Sequence, residues 1–160
     1  VVVADVRGDF GEYVPFNTWL PRPVVGTQGM SPVTWHRVVE SWGAAQLQNR
    51  FRELAGRDMN GEDYAAWAAI RSMGTAVTDL NSAHPTDIRN FLFSDKFQLA
   101  AFKGRKVTFR DWNGQMRQPI PLVHPRGLVA TAPFEGFLHP NTELDTLGFD
   151  RPESECRNNG

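Results

Sequence analysis

The chain has one cysteine in 160 residues, no strong charge of either sign and no long apolar run, and each absence removes a class of function. Cys156 cannot form a disulfide within this sequence, and it sits in the polar stretch Pro152-Glu153-Ser154-Glu155-Cys156-Arg157. It reads either as an exposed free thiol or as the partner of a cysteine outside these residues. Lys plus Arg number 17 against 18 for Asp plus Glu, so there is no basic excess of the kind a phosphate backbone demands. Nucleic acid is therefore not an expected partner. No apolar stretch approaches the roughly 18–20 residues of a membrane span, so the chain is not expected to be membrane-embedded. No signal-peptide pattern is visible.

Catalytic signatures are scarce as well. The sequence contains no Gly-x-Ser-x-Gly elbow, no phosphate loop and no dinucleotide fingerprint. His36, His84, His124 and His139 are scattered at spacings that match no ligand set, which argues against zinc. Asp5, Asp9 and Glu12 form an acidic loop whose oxygens invite comparison with calcium or lanthanide sites, though it lacks the dense ligand comb of an EF-hand. The alternative is a solvated loop with Glu12 near a helix start.

Elements are easier to place. Val1 to Ala4 is an apolar run that predicts a buried strand already under way at its first residue. Asp5 to Tyr13, with two glycines and three acids, predicts a strand-end loop, where ligands gather in open α/β sheets. Pro15, Pro21 and Pro23 make the next stretch irregular, and Val24 and Val25 predict a short strand ending at Gly26-Thr27-Gln28-Gly29. From Pro32 to Arg57 apolar residues recur at helical spacing, with Gly43 as a potential division. Asn60 is placed to cap a second helix, with Asp63 three residues on and Tyr64, Trp67, Ile70, Gly74 and Val77 on its buried side. After His84-Pro85-Thr86, a short amphipathic helix is expected over Asp87 to Phe93.

Lys103 to Ala132 predicts a twisted hairpin. Val107 and Phe109 alternate with polar residues, Asp111-Trp112-Asn113-Gly114 supplies the turn, and Gln115 to Val123 is the return leg. Beyond Ala132 the text is punctuated by Pro and Gly and reads as a tail wrapping a surface. Tyr13, Trp19, Trp35, Trp42, Tyr64, Trp67 and Trp112 exceed what a small core needs, although helical spacing assigns most of them to packing.

The order of these elements resembles the closing leg of a type I periplasmic solute-binding protein of the amide and branched-chain amino-acid kind. Phe10-Gly11-Glu12-Tyr13, Trp19-Leu20-Pro21-Arg22-Pro23, Gly26-Thr27-Gln28-Gly29, Leu99-Ala100-Ala101-Phe102-Lys103-Gly104 and Thr142-Glu143-Leu144-Asp145-Thr146-Leu147-Gly148 resemble a narrower family. Its members are the substrate-binding proteins of ABC transporters encoded with pyrroloquinoline-quinone (PQQ)-dependent alcohol dehydrogenases. The resemblance runs from about Val1 to Arg157 and corresponds to the carboxyl-terminal portion of those longer proteins.

That resemblance implies an α/β fold made of pieces of two three-layer lobes. Residues 1–30 would give strand and loop of lobe 2 with a hinge crossing, 31–102 the helical part of lobe 1, 103–132 the hairpin returning to lobe 2, and 133–160 an extended tail. It implies a periplasmic, non-enzymatic protein without a cofactor, which closes on a small-molecule ligand and delivers it to ABC permease subunits. The relatives' position matching Gln28 is an acid that holds the ligand ammonium, and the one matching Tyr64 is an aromatic contact. A neutral Gln28 argues against a free amino acid as ligand, while Asp5, at the cleft-lining strand end, could restore the charge. Asp5, Gln28 and Tyr64 are the expected ligand-binding residues. The runner-up is a partner protein that docks on the PQQ alcohol dehydrogenase or a cytochrome through exposed tryptophans such as Trp19 and Trp112. A lanthanide or calcium carrier is the third reading.

Overall fold

A computed structural model describes residues 1–5, 9–20, 22–26, 31–124 and 127–155, leaving the side chains of Glu12, Pro15 and Phe16 aside. Gln28 and Cys156 lie outside the described residues. The chain order is β1 (Val2–Val3), a 3-10 helix (Gly11–Phe16), β2 (Val25–Gly26), β3 (Ser31–Pro32), α1 (Ala44–Ala55), α2 (Gly61–Leu80) and α3 (Pro85–Leu92). Then follow β4 (Leu99–Ala100), β5 (Lys106–Phe109), β6 (Met116–Arg117), β7 (Ile120–His124), β8 (Gly127–Ala132) and two 3-10 turns, Glu143–Thr146 and Arg151–Glu153. The molecule is mixed α/β with small sheets.

Helix α2 begins where its cap predicts. The Asn60 side chain accepts from the Asp63 amide at 2.9 Å and the Asp63 carboxylate accepts from the Asn60 amide at 3.0 Å, closing a reciprocal box on two donors the first turn leaves free. Its buried face keeps the expected Tyr64, with Trp67 half-buried, and departs from expectation at Ile70, Gly74 and Val77, which are exposed. Tyr64, Ala68, Ser72 and Ala76 turn inward at every fourth position, and Ile70 is 76% exposed. The small residues allow close approach, and Ser72 returns its hydroxyl to the Ala68 carbonyl, so the core selects the small stripe over the larger apolar residues.

Helix α1 starts at Ala44 instead of near Pro32. Gly43 sits at φ +79, a left-handed position, and a Cβ there would lie 2.5 Å from the Phe102 ring. A residue so placed ends any helix arriving from upstream, and Ser31–Pro32 pairs with β7 as a strand. Trp35 and Val39 are still buried, but from irregular backbone outside any helix.

Among the described residues, three small sheets accompany the helices. Strands β4, β5 and β6 form one, β3, β7 and β8 another, and β1 pairs with β2 in parallel. The predicted turn is present, with the Arg110 amide donating to the Gln115 carbonyl at 2.8 Å and Gly114 at φ +72. The return leg is not continuous: β6 ends at Arg117 and the chain re-enters a different sheet at Ile120. Pro119 has no amide hydrogen to extend the ladder, which explains the break. The expectation of a buried opening strand also fails, because Val2 is 82% exposed in a two-stranded pair. Trp35, Tyr64, Phe97, Leu99, Ala101 and Val107 centre the core between α2 and the β4–β5 hairpin.

Candidate functional site

The turn segment after β3 and the α1–α2 connection enclose an open cleft of about 520 Å³. Trp35 backs it, His36, Arg37, Asp58 and Glu62 give it polar walls, and Asn60 and Gly61 open α2 beside it. A hydrogen-bond relay fixes the arrangement. The Trp35 indole donates to Gln48 Oε1 at 3.0 Å, and Gln48 Nε2 donates to Asp58 Oδ1 at 3.0 Å. Arg52 Nε donates to the same Asp58 oxygen at 2.8 Å, and Arg37 lies 3.7 Å from the other. Gln48 is therefore a buried polar residue whose amide is spent at both ends, orienting the wall.

Two ionisable groups in this cleft are displaced from their ordinary values. The Arg52 hydrogen bond, aided by Gln48 and the charges of Arg52 and Arg37 and opposed by burial, holds the Asp58 carboxyl below its usual range. Burial, reinforced by the Arg37 charge and opposed by Asp58, pushes His36 down. A neutral imidazole follows at neutral pH, with Nδ1 accepting from the Val38 amide at 3.4 Å and Nε2 left to carry the proton. The cleft thus presents a neutral donor, a guanidinium and carboxylates, with Trp35 buried behind them at 2% exposure. Such a set can orient a small polar molecule.

Of the expected ligand residues, Tyr64 stands one layer behind this cleft. It is 1% exposed, stacks on Trp35 with ring centroids 4.7 Å apart, and donates its hydroxyl to the Ala101 carbonyl at 2.8 Å. Burial pushes its phenol up, so it stays neutral. Removing only the hydroxyl, Tyr64→Phe, leaves the Ala101 carbonyl without its donor and is expected to cost about 1–2 kcal/mol in urea unfolding. A variant as stable as the parent would show that this bond contributes nothing.

Asp5 belongs to a different neighbourhood. It is buried at the end of β1, where Oδ1 accepts from the Asp9 amide at 3.0 Å and Oδ2 from the amides of Phe10 and Gly11 at 2.9 and 2.6 Å. Its carboxylate organises the loop that leads into the first 3-10 helix, in the manner of a cap on three backbone donors. Strands β1 and β2 run parallel, with Val3 opposite Gly26. Gln28 follows β2, outside the described residues.

Trp35 was among the singled-out aromatics and His36 among the histidines, but nothing in their spacing joined them to Asp58. The link is the Gln48 amide, whose partners lie 13 and 10 residues away and leave no periodic trace. Lys103 was also hidden in plain text. It is 4% exposed, donates to Gln118 Oε1 at 2.7 Å and to the Pro119 carbonyl at 3.2 Å, and lies 4.8 Å from the Tyr64 ring centre.

Among the described residues no three His, Cys, Asp or Glu side chains converge to hold a metal ion, and no helix is long and apolar enough to cross a membrane. No protein-family model, curated protein or solved structure matches the chain.

Proposed function

We propose that this chain belongs to the periplasmic solute-binding component of an ABC importer linked to PQQ-dependent alcohol oxidation. It holds a small ligand and does no chemistry on it. The observation that carries this reading is the cleft against Trp35, whose volume of about 520 Å³ falls in the usual range of roughly 300–1,000 Å³ for small-molecule sites. His36, Arg37 and Asp58 on its walls suit a ligand with several hydrogen-bonding groups. The type I binding-protein architecture is part of the proposal. In that scheme the lobes sample open and closed forms, and the ligand favours closure through contacts made to both sides at once.

The docking reading draws on one specific observation. Trp19 is 96% exposed, and so large an indole left in water is what a hot spot awaiting a partner looks like. Trp112 contributes less, being half-buried near the Arg110 guanidinium. The cation-carrier reading is less favoured, because the Asp5 oxygens already accept three backbone amides.

Affinity capture from periplasmic extract separates the first two. Recovery of ABC permease subunits is expected for the importer; recovery of the alcohol dehydrogenase or a cytochrome without permease would replace it with the docking reading.

A further inference from the structure

We propose that the groove between α1 and α2 is a second binding site, selective for small monocarboxylates with an apolar body. The groove encloses about 400 Å³ and is distinct from the Trp35 cleft, although Met59 contributes to the lining of both. Leu47 and Phe51 from α1, Met59 from the connection, Trp67 from α2 and Phe102 from beyond β4 line it with apolar surface. Leu54 continues the α1 stripe to the groove's outer edge and is 89% exposed. An apolar ligand body seated here would take Leu54 and Trp67 out of water together.

Charge selects the ligand's other end. Arg50 lines the groove from α1 and Arg71 from α2, and among the described residues neither has an acidic partner. The one acid in the lining, Asp63, is already engaged. Arg57 donates to its two oxygens at 2.5 and 2.8 Å, and the Asn60 amide donates to Oδ2 at 3.0 Å. Arg57 in turn lies over the Phe51 ring at 5.1 Å, which keeps that ion pair at the groove's end. Two guanidiniums without acidic partners lining an apolar groove, with the lining's only carboxylate neutralised, form a complement to one carboxylate on an apolar body. An amide or alcohol of the same shape would gain the floor and lose the charge-assisted bonds. This site stands apart from the proposed solute cleft and does not depend on it.

Calorimetric titration with 3-phenylpropionate and octanoate, alongside 3-phenylpropionamide and octanamide, tests the proposal. Each carboxylate is expected to bind about tenfold or more tightly than its amide. The double variant Arg50→Gln with Arg71→Gln, checked for folding by circular dichroism, is expected to bring carboxylate affinity down to that of the amide, whereas Lys96→Gln outside the groove leaves the preference intact. Equal binding of acid and amide, a preference that survives loss of both arginines, or no heat up to about 10 mM ligand would each overturn it. So would sedimentation showing that the groove is closed by a second copy of the chain that carboxylates fail to displace.

Discussion

Arg110→Met is expected to lower the free energy of unfolding by about 3–5 kcal/mol, the range for removing one partner from a buried charge network. Arg110 is 2% exposed and spends its guanidinium on the tail. Nε donates to Asp145 Oδ1 at 2.8 Å, Nη1 to the Phe149 carbonyl at 2.6 Å, and Nη2 to the carbonyls of Asp145 and Leu147 at 3.0 and 3.2 Å. Three backbone carbonyls of a segment without regular ladders depend on this one side chain, and a thioether offers them no donor. Burial works against the Asp145 charge, but the bonds from Arg117, Thr142 and Arg110 outweigh it and hold that carboxyl below its usual range. A folded-state value below the unfolded one means the contribution is present at neutral pH and is lost as the solution is acidified through the folded value.

Arg117 also donates to Asp145 Oδ1, at 2.7 Å, so the acid keeps one partner in the variant while the carbonyls do not. The expected signature is therefore specific: limited proteolysis cuts residues 133–155 faster than the α1–α2 region, in step with the lower urea midpoint. Arg110→Lys is expected to rescue little, since an ammonium cannot fork toward four acceptors. A loss under about 1 kcal/mol with unchanged proteolysis would mean the tail is held by other contacts.

The second large effect is a rise in stability with pH that runs through Lys103. Burial pushes its ammonium from the ordinary 10.5 down to about 7. Gln118 Oε1 and the Pro119 carbonyl are acceptors without charge, and the Tyr64 ring beneath is neutral. Between about pH 7 and 10 the unfolded chain holds a proton on this lysine that the folded chain has released, so unfolding becomes less favourable as pH rises. At 1.36 kcal/mol per unit of displacement, the gain is about 3–4 kcal/mol across that window. A neutral amine keeps two N–H donors, enough for both acceptors. Urea unfolding at pH 7 and pH 10 checks this, with Lys103→Met as reference because it removes the titrating group and leaves all others in place. A variant whose stability climbs with pH as steeply as the parent's would contradict the assignment.

Local chemistry was readable from the letters, and long-range chemistry was not. Asn60 with Asp63 announced the start of α2, and Asn113-Gly114 announced the hairpin turn, because a cap or a tight turn is decided by residues within a few positions. Gly43 announced a division but not that residues 33–42 would carry no helix, since that depends on Phe102 lying against Gly43. Beyond Tyr64 the α2 face misled because hydrophobicity marks the larger residues, whereas the buried stripe continues through Ala68, Ser72 and Ala76. Pro119, which lacks an amide hydrogen, marks the break in the return leg, whereas the alternation on either side of it points to a continuous strand. The Trp35 cleft was invisible for a different reason: its walls are tied by the amide of Gln48, a residue that by composition alone belongs on a surface.

The central claim is that the Trp35 cleft holds a small solute for import. The direct measurement is native mass spectrometry of the protein purified under native conditions from its own cells, beside a His36→Ala, Arg37→Ala variant. The account expects a small-molecule adduct at one per chain on the parent protein, released on denaturation and depleted in the variant. A parent protein free of any small adduct, or an adduct held equally by the variant, would contradict it.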